Sequence, residues 1–454
     1  MNIVIIGAGA VGSAIARRLV SENKKVVVVD IDTAATDRLE NTLDVKTVRG
    51  SGSSPAVLRE AGVTGADLFL AVTHSDEVNL MACLMTQYMS PDTRKLARIR
   101  NAEFDPLHTA LQTSPPNIDT IINPEAEVVN TIRKLMVVPG AVDVGSFIDG
   151  RVKYTGAHIN ANAPVIGMRL ADYPAAYGSR RPLIAAVIRK NEVIVPHGND
   201  AVQAGDIVYF VSETGDFDAH LAIFGLTPQT VRSALILGGG KIGERLALSL
   251  ESEGIHTKII ERDARRCAGL SSRLNKTVVL NGDGSDLSLL REENIGRRDV
   301  VVSVTGDDET NILVSLLASN LGVCNTITRI GNPGYFPLLS TIGIKKIVSP
   351  RLSAISSILH EVRKGQVLSD ISIFGEKGEF IEAVAVAASG ITGRCLKDIR
   401  FPSGALLVCI ARGHEVIIPD GDTPLLDGDR MILFAVKKAL ADLEALLTVS
   451  LEYI

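Results

Sequence analysis

The 454-residue sequence contains no tryptophan, and aromatic residues make up only 4% of it. Platforms on which bases could stack are therefore scarce, and with a net charge of -5 there is no basic field to attract a polyanion. Both features argue against a nucleic-acid binder. The five cysteines, Cys83, Cys267, Cys324, Cys395 and Cys409, form no CxxC pair and are odd in number. They read as reduced, buried thiols of a cytoplasmic protein and not as a disulfide framework. No basic, then apolar, then small-residue leader opens the chain, so export is not expected. Apolar runs are short and interrupted by Gly, Asp or Pro, none reaching the roughly 20 residues that span a bilayer. The motifs GxSxG, GKT/S, HExxH and zinc-type Cys/His spacings are also missing.

What is present is ordinary globular composition, 46% hydrophobic and 22% charged, in a chain long enough for two to four domains. It is also a chain that begins twice. "IVIIGAGAVG" (3–12) returns as "ALILGGGKIG" (234–243), so that an offset of 231 carries Gly7, Gly9 and Gly12 onto Gly238, Gly240 and Gly243, and Asp30 onto Glu261. "RGSGS" (49–53) faces "NGDGS" (281–285), "AVTHSDEVNL" (71–80) faces "SVTGDDETNI" (303–312), and "ARIRN" (97–101) faces "TRIGN" (328–332). The later parts match more faintly, "VPHGNDAVQAGDIVYF" (195–210) against "IPDGDTPLLDGDRMILF" (418–434). The chain is a tandem duplication of a two-part unit.

In the first part of each unit, apolar strands alternate with segments of helical spacing. In the first copy the strands are expected at 3–6, 25–30, 45–50, 68–73 and 95–100, with Val11, Ile15 and Leu19 on one helix face, matched by Ile242, Leu246 and Leu250. Such a pattern predicts a parallel sheet covered on both faces. The second parts switch to period-two alternation, as in "PLIAAVIRKNEVIVP" (182–196) and "GALLVCIARGHEVIIP" (404–419), which reads as strand, turn, strand. The expected fold class is α/β: two Rossmann-like, doubly wound parallel-sheet domains, each followed by a small α+β C-lobe. The expected bounds are 1–125, 143–226, 231–352 and 367–454.

In GxGxxG the first glycine permits a tight strand-to-helix turn, the second admits a pyrophosphate, and the third lets helix and strand pack closely, so that phosphate rests on the helix N-terminus. Candidate binding residues are therefore Gly7, Ala8, Gly9, Ala10, Val11 and Gly12 in the first copy, with Gly238, Gly239, Gly240, Lys241, Ile242 and Gly243 in the second. Asp30 and Glu261, each 18 positions beyond the third glycine, suit the two hydroxyls of a ribose and would repel a 2'-phosphate. NAD(H) or an adenine nucleotide is thus favoured over NADP, against which Arg262 is a minor counterweight. Thr73, His74, Thr305 and Gly306 at the fourth strands, and Arg98 and Arg329 at the fifth, are expected to border the ligand. Thr73 and Asp76 could instead simply start a helix, and the arginines could be solvated.

These residues resemble the regulator-of-conductance (RCK, or KTN) domain family of potassium transport systems. The marks are the strand-GxGxxG-acid opening, "GDGS" at 282–285, the "AVT" and "SVT" fourth strands, and the Gly-Asp turns at 205–206 and 428–429. The duplicated order is similar to the peripheral subunits of Trk-type potassium uptake systems. The resemblance implies a non-enzymatic cytosolic subunit that binds NAD(H) and/or ATP/ADP, forms a homo-oligomeric ring, and sits beneath a membrane-embedded potassium-translocating partner of the TrkH/TrkG type. Ser51 stands where the second copy has Asp283, and Ala10 where it has Lys241, so the second pocket is expected to suit the more highly charged nucleotide. The alternatives are an NAD-dependent oxidoreductase, which would need a substrate domain with a proton donor, and a nucleotide sensor unrelated to ion transport.

Overall fold

A computed structural model describes residues 1–178, 181–339, 341–363, 367–373, 377–387 and 389–447. The first large lobe holds the strands β1 (Asn2–Ile6), β2 (Lys25–Asp30), β3 (Lys46–Arg49), β4 (Leu68–Ala71), β5 (Arg94–Arg98) and β6 (Thr120–Ile122). Between them run α1 (Ala10–Ser21), α2 (Thr33–Glu40), α3 (Pro55–Glu60), α4 (Asp76–Met89) and α5 (His108–Thr113), and α6 (Pro124–Val137) follows. The first small lobe has β7 (Ala141–Phe147), β8 (Val152–His158), β9 (Leu183–Arg189), β10 (Glu192–Ile194) and β11 (Ile207–Glu213), with α7 (Tyr173–Tyr177) and α8 (Phe217–Ile223).

The second large lobe repeats the first. Its strands are β12 (Ser233–Leu237), β13 (His256–Glu261), β14 (Val278–Asn281), β15 (Val300–Ser303), β16 (Thr326–Arg329) and β17 (Lys346–Val348). Its helices are α9 (Lys241–Ser252), α10 (Ala264–Arg273), α11 (Leu287–Glu292), α12 (Asp308–Asn320) and α13 (Phe336–Leu339), followed by α14 (Pro350–Arg363). The second small lobe has β18 (Val367–Ile373), β19 (Gly378–Val384), β20 (Ala405–Arg412), β21 (Glu415–Ile417), β22 (Arg430–Val436) and α15 (Leu440–Leu447).

Both large lobes are six-stranded parallel sheets in the order 3-2-1-4-5-6, and the duplication is kept to the residue: Ile3 pairs with Val26, and Ala234 with Thr257. The five strands expected in the first copy are present, and the sheet gains a sixth, β6, whose three residues are too few to show a period. Because alternate side chains face opposite ways, Ile3 and Ile5 enter one core with Ile15 and Leu19, while Val4 and Ile6 enter another with Phe69, Ala82 and Cys83. The small lobes are antiparallel five-stranded sheets of matching order, β7-β8-β11-β9-β10 and β18-β19-β22-β20-β21. The β9–β10 turn uses Lys190 and Asn191 at positive φ, the geometry that suits a twisted hairpin. The fold class expected from the sequence is the one observed.

The segments left between the expected domain bounds hold α6 and α14, and these two helices are exchanged. The chain forms two compact units, one of residues 1–127 with 350–363 and the other of the remainder. In the first unit, Ala354, Ile355, Ile358, Leu359 and Val362 of α14 complete the core of the first large lobe. In the second unit, Val128, Val129, Ile132, Leu135 and Met136 of α6 do the same for the second large lobe. Each stripe follows helical spacing, and each fully buried aliphatic side chain stabilises its dock by about 1.5–3 kcal/mol.

The scarce aromatic residues are concentrated where the two small-lobe sheets share a core. Phe380 lies with ring centroids 5.7 Å from Phe147, 5.4 Å from Tyr154, 6.4 Å from Tyr209 and 5.2 Å from Phe434. Cys83, Cys267 and Cys409 are buried free thiols, but Cys324 is exposed, contrary to the expectation that every cysteine packs inside, because it lies in the loop that precedes β16.

The Gly-Asp turns have a structural reason. Gly205 (φ +87°) and Gly428 (φ +83°) turn Asp206 and Asp429 inward. Arg189 forks onto Asp206 at 2.9 and 2.7 Å, and Arg412 onto Asp429 at 2.9 and 2.8 Å, while the backbone N–H groups of Gln203 and Leu426 donate to the same carboxylates. Burial opposes ionisation of Asp429, yet the Arg412 guanidinium and the Leu426 N–H hold its carboxyl below the ordinary value. The stabilisation from a carboxylate with a lowered native pKa is present above the unfolded value near 3.9 and is lost as pH falls through the native one. Asp429→Asn should therefore lower stability at pH 7 by about 3 kcal/mol in urea unfolding, and this difference should shrink below about pH 4.

Candidate functional site

At the carboxyl end of each large-lobe sheet, the three glycines have distinct tasks. Gly7 and Gly238 follow their strands at φ +110° and +104°, a region that favours glycine. A Cβ on Gly12 or Gly243 would lie 1.8 or 1.9 Å from the carbonyl oxygen of Gly7 or Gly238, so the helix start can lie against the turn only if it is bare. Apart from its chain neighbours, a Cβ on Gly9 or Gly240 would meet no atom of the described residues within 4 Å. The space in front of the middle glycine is open in both copies.

That space adjoins two helix N-termini with no side-chain cap. Gly9 and Gly240 occupy the N-cap positions of α1 and α9 and provide no oxygen, whereas Asp32, Ser75, Asp263, Asp286 and Asp307 cap α2, α4, α10, α11 and α12. The N-terminal amides of α1 and α9 present donors and the positive end of a helix dipole to the open side. Ala10 and Lys241, the first helical residues, are both exposed there, and Lys241 adds an ammonium in the second copy. Val11 and Ile242 are buried and anchor the helix starts in the core.

The acidic residues brace the loops from the next strand. Asp30 Oδ2 accepts from the Ala8 N–H at 2.5 Å and Oδ1 from the Asp32 N–H at 2.8 Å. Glu261 Oε2 accepts from the Gly239 N–H at 2.8 Å and Oε1 from the Asp263 N–H at 2.9 Å, with Arg266 Nη1 at 3.5 Å. Both oxygens of Asp30 and Oε1 of Glu261 keep a further lone pair with which to accept a ribose hydroxyl. Asp30 is half-buried and Glu261 only 6% exposed, so the first carboxylate is the more accessible. Gly239 packs where a Cβ would strike Leu270, which explains why the second loop has glycine at the place of Ala8.

Past the third strands the copies diverge. Ser51 Oγ lies 2.9 Å from Ser53 Oγ. Asp283 accepts from the Ser285 N–H (2.8 Å) and hydroxyl (2.7 Å), which hold its carboxyl below the ordinary range, with the charge of Arg262 acting in the same direction. Arg262 also favours ionisation of Asp263 and Asp307, so the second pocket has a guanidinium among carboxylates where the first has Ile31.

At the fourth strands, the hydroxyls of Thr73 and Thr305 turn inward. Thr73 Oγ1 donates to Asn79 Oδ1 at 2.7 Å and Thr305 Oγ1 to Asn311 Oδ1 at 2.8 Å. Both asparagines are fully buried and reach on to the fifth strands, where they donate to the carbonyls of Arg98 (2.8 Å) and Arg329 (3.1 Å). The threonines thus shape the rim, while Ser75 and Asp307 cap the helices. His74 and Gly306 are exposed on the same rim. Arg329 Nη1 donates to the Thr305 carbonyl at 2.6 Å. Arg98 differs: its Nε is buried without an acceptor among the described residues, and burial, then the charge of Arg100, lowers its pKa. Such an orphaned donor suits an anion.

Sequence reasoning did not single out Asp76 and Asp308 as braces of the site. Asp76 Oδ2 accepts from the N–H groups of Arg100 and Asn101, and Asp308 from those of Gly331 and Asn332, tying the fourth-strand helices to the fifth-strand loops. The available signal was an acid three positions after the threonine in both copies. Cavities of about 310 Å³ (around Arg291, Asn294 and Arg297) and about 230 Å³ (around Lys134, Val144 and Phe217) contain none of the expected residues. At Gly9 and Gly240 the glycine loops form open shelves.

The TrkA-N domain family matches residues 3–124 and 234–350, and the TrkA-C domain family residues 156–225 and 380–448. The Trk system potassium uptake protein TrkA of Halomonas elongata is 36% identical over the whole of both chains. The chain belongs to the TrkA family of Trk system potassium uptake proteins. A TrkA homologue of Methanosarcina mazei is 35% identical over 98% of this chain and 99% of its own. Among solved structures, the GsuK channel bound to NAD matches with a TM-score of 0.61 at 20% identity, over 98% of this chain and 78% of that one. The GsuK RCK domain matches with a TM-score of 0.61 at 19% identity, over 98% and 94%. These likenesses show that the TrkA-family chain has the tandem RCK fold, and family membership sets the oxidoreductase reading aside.

The buried asparagines join two strand ends and a helix, so their loss should loosen the whole rim. Asn311→Ala should lower stability by about 2 kcal/mol in chemical unfolding, more than an exposed Asn→Ala change of about 0.5 kcal/mol or less.

Proposed function

We propose that this TrkA-family chain is a cytosolic, nucleotide-binding regulatory subunit, peripheral at the inner face of the membrane, that gates a membrane-embedded potassium-translocating partner. One observation carries the reading: two uncapped helix N-termini, each facing open space at a glycine where a Cβ would meet, beyond its chain neighbours, no atom of the described residues within 4 Å. A diphosphate satisfies such a cradle. NAD(H) and/or ATP/ADP are the ligands, with support from the solved GsuK channel structures, one bound to NAD and one to ADP.

Gly7, Ala8, Gly9, Ala10, Val11 and Gly12 would hold the diphosphate in the first pocket, Asp30 the ribose, and Ser51, Thr73, His74 and Arg98 the remainder. Gly238, Gly239, Gly240, Lys241, Ile242, Gly243, Glu261, Asp283, Thr305, Gly306 and Arg329 would serve the second. Lys241 favours the more highly charged ligand there. The four domains proposed are 1–125, 143–226, 231–352 and 367–454, with the exchanged helices in the gaps.

Ring assembly by further copies of the chain is supported by apolar side chains on the outer faces of α4 (Met81 and Tyr88) and α12 (Leu313), which are exposed in the single chain. Ligand gating then requires only that one nucleotide prefer one ring conformation, and tenfold discrimination contributes about 1.4 kcal/mol per site.

Gly240→Val should abolish binding in the second pocket and Gly9→Val in the first, each leaving the other pocket titratable with NADH, NAD, ATP and ADP. The same titrations should show no sustained NADH oxidation with added metabolites. Normal two-site binding by both variants would overturn the site assignment, and steady turnover would overturn the regulatory reading.

A further inference from the structure

The exchanged helices are clamped at equivalent places by different chemistry. In the first large lobe, Arg94 at the start of β5 donates to the Glu361 carbonyl of α14 at 2.7 Å and to its carboxylate at 2.7 Å, and Thr120 on β6 donates to the same carboxylate at 2.9 Å. In the second large lobe the strand register puts Asn325 at the place of Arg94 and Lys346 at the place of Thr120. Lys346 Nζ donates to the Leu135 carbonyl of α6 at 2.7 Å, the Val138 carbonyl at 2.9 Å and Asn325 Oδ1 at 2.8 Å. Asn325 Nδ2 donates to the Met136 carbonyl at 2.9 Å. Thus the Leu135 and Met136 carbonyls of the last turn of α6, which have no partner within the helix, and the Val138 carbonyl just beyond it are collected by one ammonium and one amide.

The difference lies in the counter-charge. Arg94 meets a carboxylate, and an arginine–carboxylate pair keeps both charges near neutral pH. Lys346 is 4% exposed and meets only neutral oxygens, Leu135 standing where α14 has Glu361. Among the described residues no carboxylate lies within ion-pair distance of it. The titratable groups on the elements around it are Glu125, Glu127, Arg133 and Lys134 on α6, Asp143 on β7, Lys153, Tyr154 and His158 on β8, and Arg329 on β16, with Cys324 just before β16 and Lys345 just before β17. Arg133 pairs with Glu253, and burial raises the Asp143 carboxyl to about 6 against the hydrogen bond from Tyr154 and the charge of Lys134, so Asp143 is ionised above pH 7. His158 is held towards its neutral form by burial and then by Lys345.

We propose that the contact of the α6 C-terminus with the second large lobe is a proton-sensitive latch that tightens as Lys346 loses its proton, while the Arg94–Glu361 clamp of the first large lobe holds irrespective of pH near neutrality. Burying an ammonium without a counter-ion is disfavoured, which moves the Lys346 amine from its usual range down to about 7. The neutral amine still donates to two of its three acceptors and gives up one hydrogen bond, a smaller loss than an unpaired buried charge. The sign follows from proton counting. An undocked, solvated Lys346 holds its proton up to about pH 10.4, so between about pH 7 and that value undocking takes up a proton and rising pH favours the docked state. Below about pH 7 both states are protonated and docking no longer responds. The latch is independent of whether a nucleotide binds.

The test is hydrogen exchange on the full-length protein between pH 6 and 8.5, expressed as protection factors so that the intrinsic pH dependence of exchange is removed. Protection at residues 133–140 should rise by roughly tenfold per pH unit above 7 in the wild type, and protection at residues 355–363 should stay level. In Lys346→Thr, which copies the first clamp's residue, and in Lys346→Met, the rise at 133–140 should vanish. A level wild-type profile at 133–140 would overturn the proposal without reference to any variant. So would a rise of equal slope in a variant whose protection at 355–363 is intact, or a matching rise at 355–363 in the wild type.

Discussion

Everything at the two sites follows from one close approach. For a parallel strand to pass directly into a helix that packs back on its own sheet, the third loop glycine must lie against the carbonyl of the first, where a Cβ would have less than 2 Å of room. That approach fixes the helix axis with its N-terminus at the carboxyl edge of the sheet, and a glycine at the N-cap leaves the terminal amides without a side-chain acceptor. The acid at the end of the next strand then ties the loop down through a backbone N–H, in both copies. The shelf is built before any ligand arrives, so binding does not have to supply the entropy of ordering it.

Duplication lets the two copies of each device diverge without loss of the fold. Parallel strands with the same register carry Asp30 and Glu261, Ser51 and Asp283, Ala10 and Lys241 to corresponding places, so changes in charge alter the pockets and leave the sheets intact. The exchanged helices follow the same logic. α14 and α6 offer similar apolar stripes to the two large lobes, and the difference is confined to the polar clamp at their ends. The small lobes, in contrast, keep the same arginine–aspartate fork in both copies, because a carboxylate buried at a Gly-Asp turn has to be paired.

Much of this was legible in the sequence because it repeats. Parallel strands buried on both faces leave continuous apolar runs, and finding them twice in register, with the glycines and the acid at constant spacing, reveals the large lobes and the shelf. β6 was not legible, since three residues show no period. Nor was the exchange of α6 and α14, because an apolar stripe records that a helix is buried and not which sheet buries it. The inward turn of Thr73 and Thr305 onto Asn79 and Asn311 was hidden for a similar reason: a polar residue at a strand end suits a ligand contact and an internal brace equally well in sequence.

The central claim is that each open shelf holds the diphosphate of a nucleotide on the amides of α1 or α9. The most direct measurement is an experimental structure of the full-length protein with saturating NADH, and another with ADP. The account predicts diphosphate density within hydrogen-bond distance of the backbone N–H groups that follow Gly9 or Gly240, with the ribose at Asp30 or Glu261. Nucleotide density elsewhere in the molecule, with both shelves empty at saturation, would contradict it.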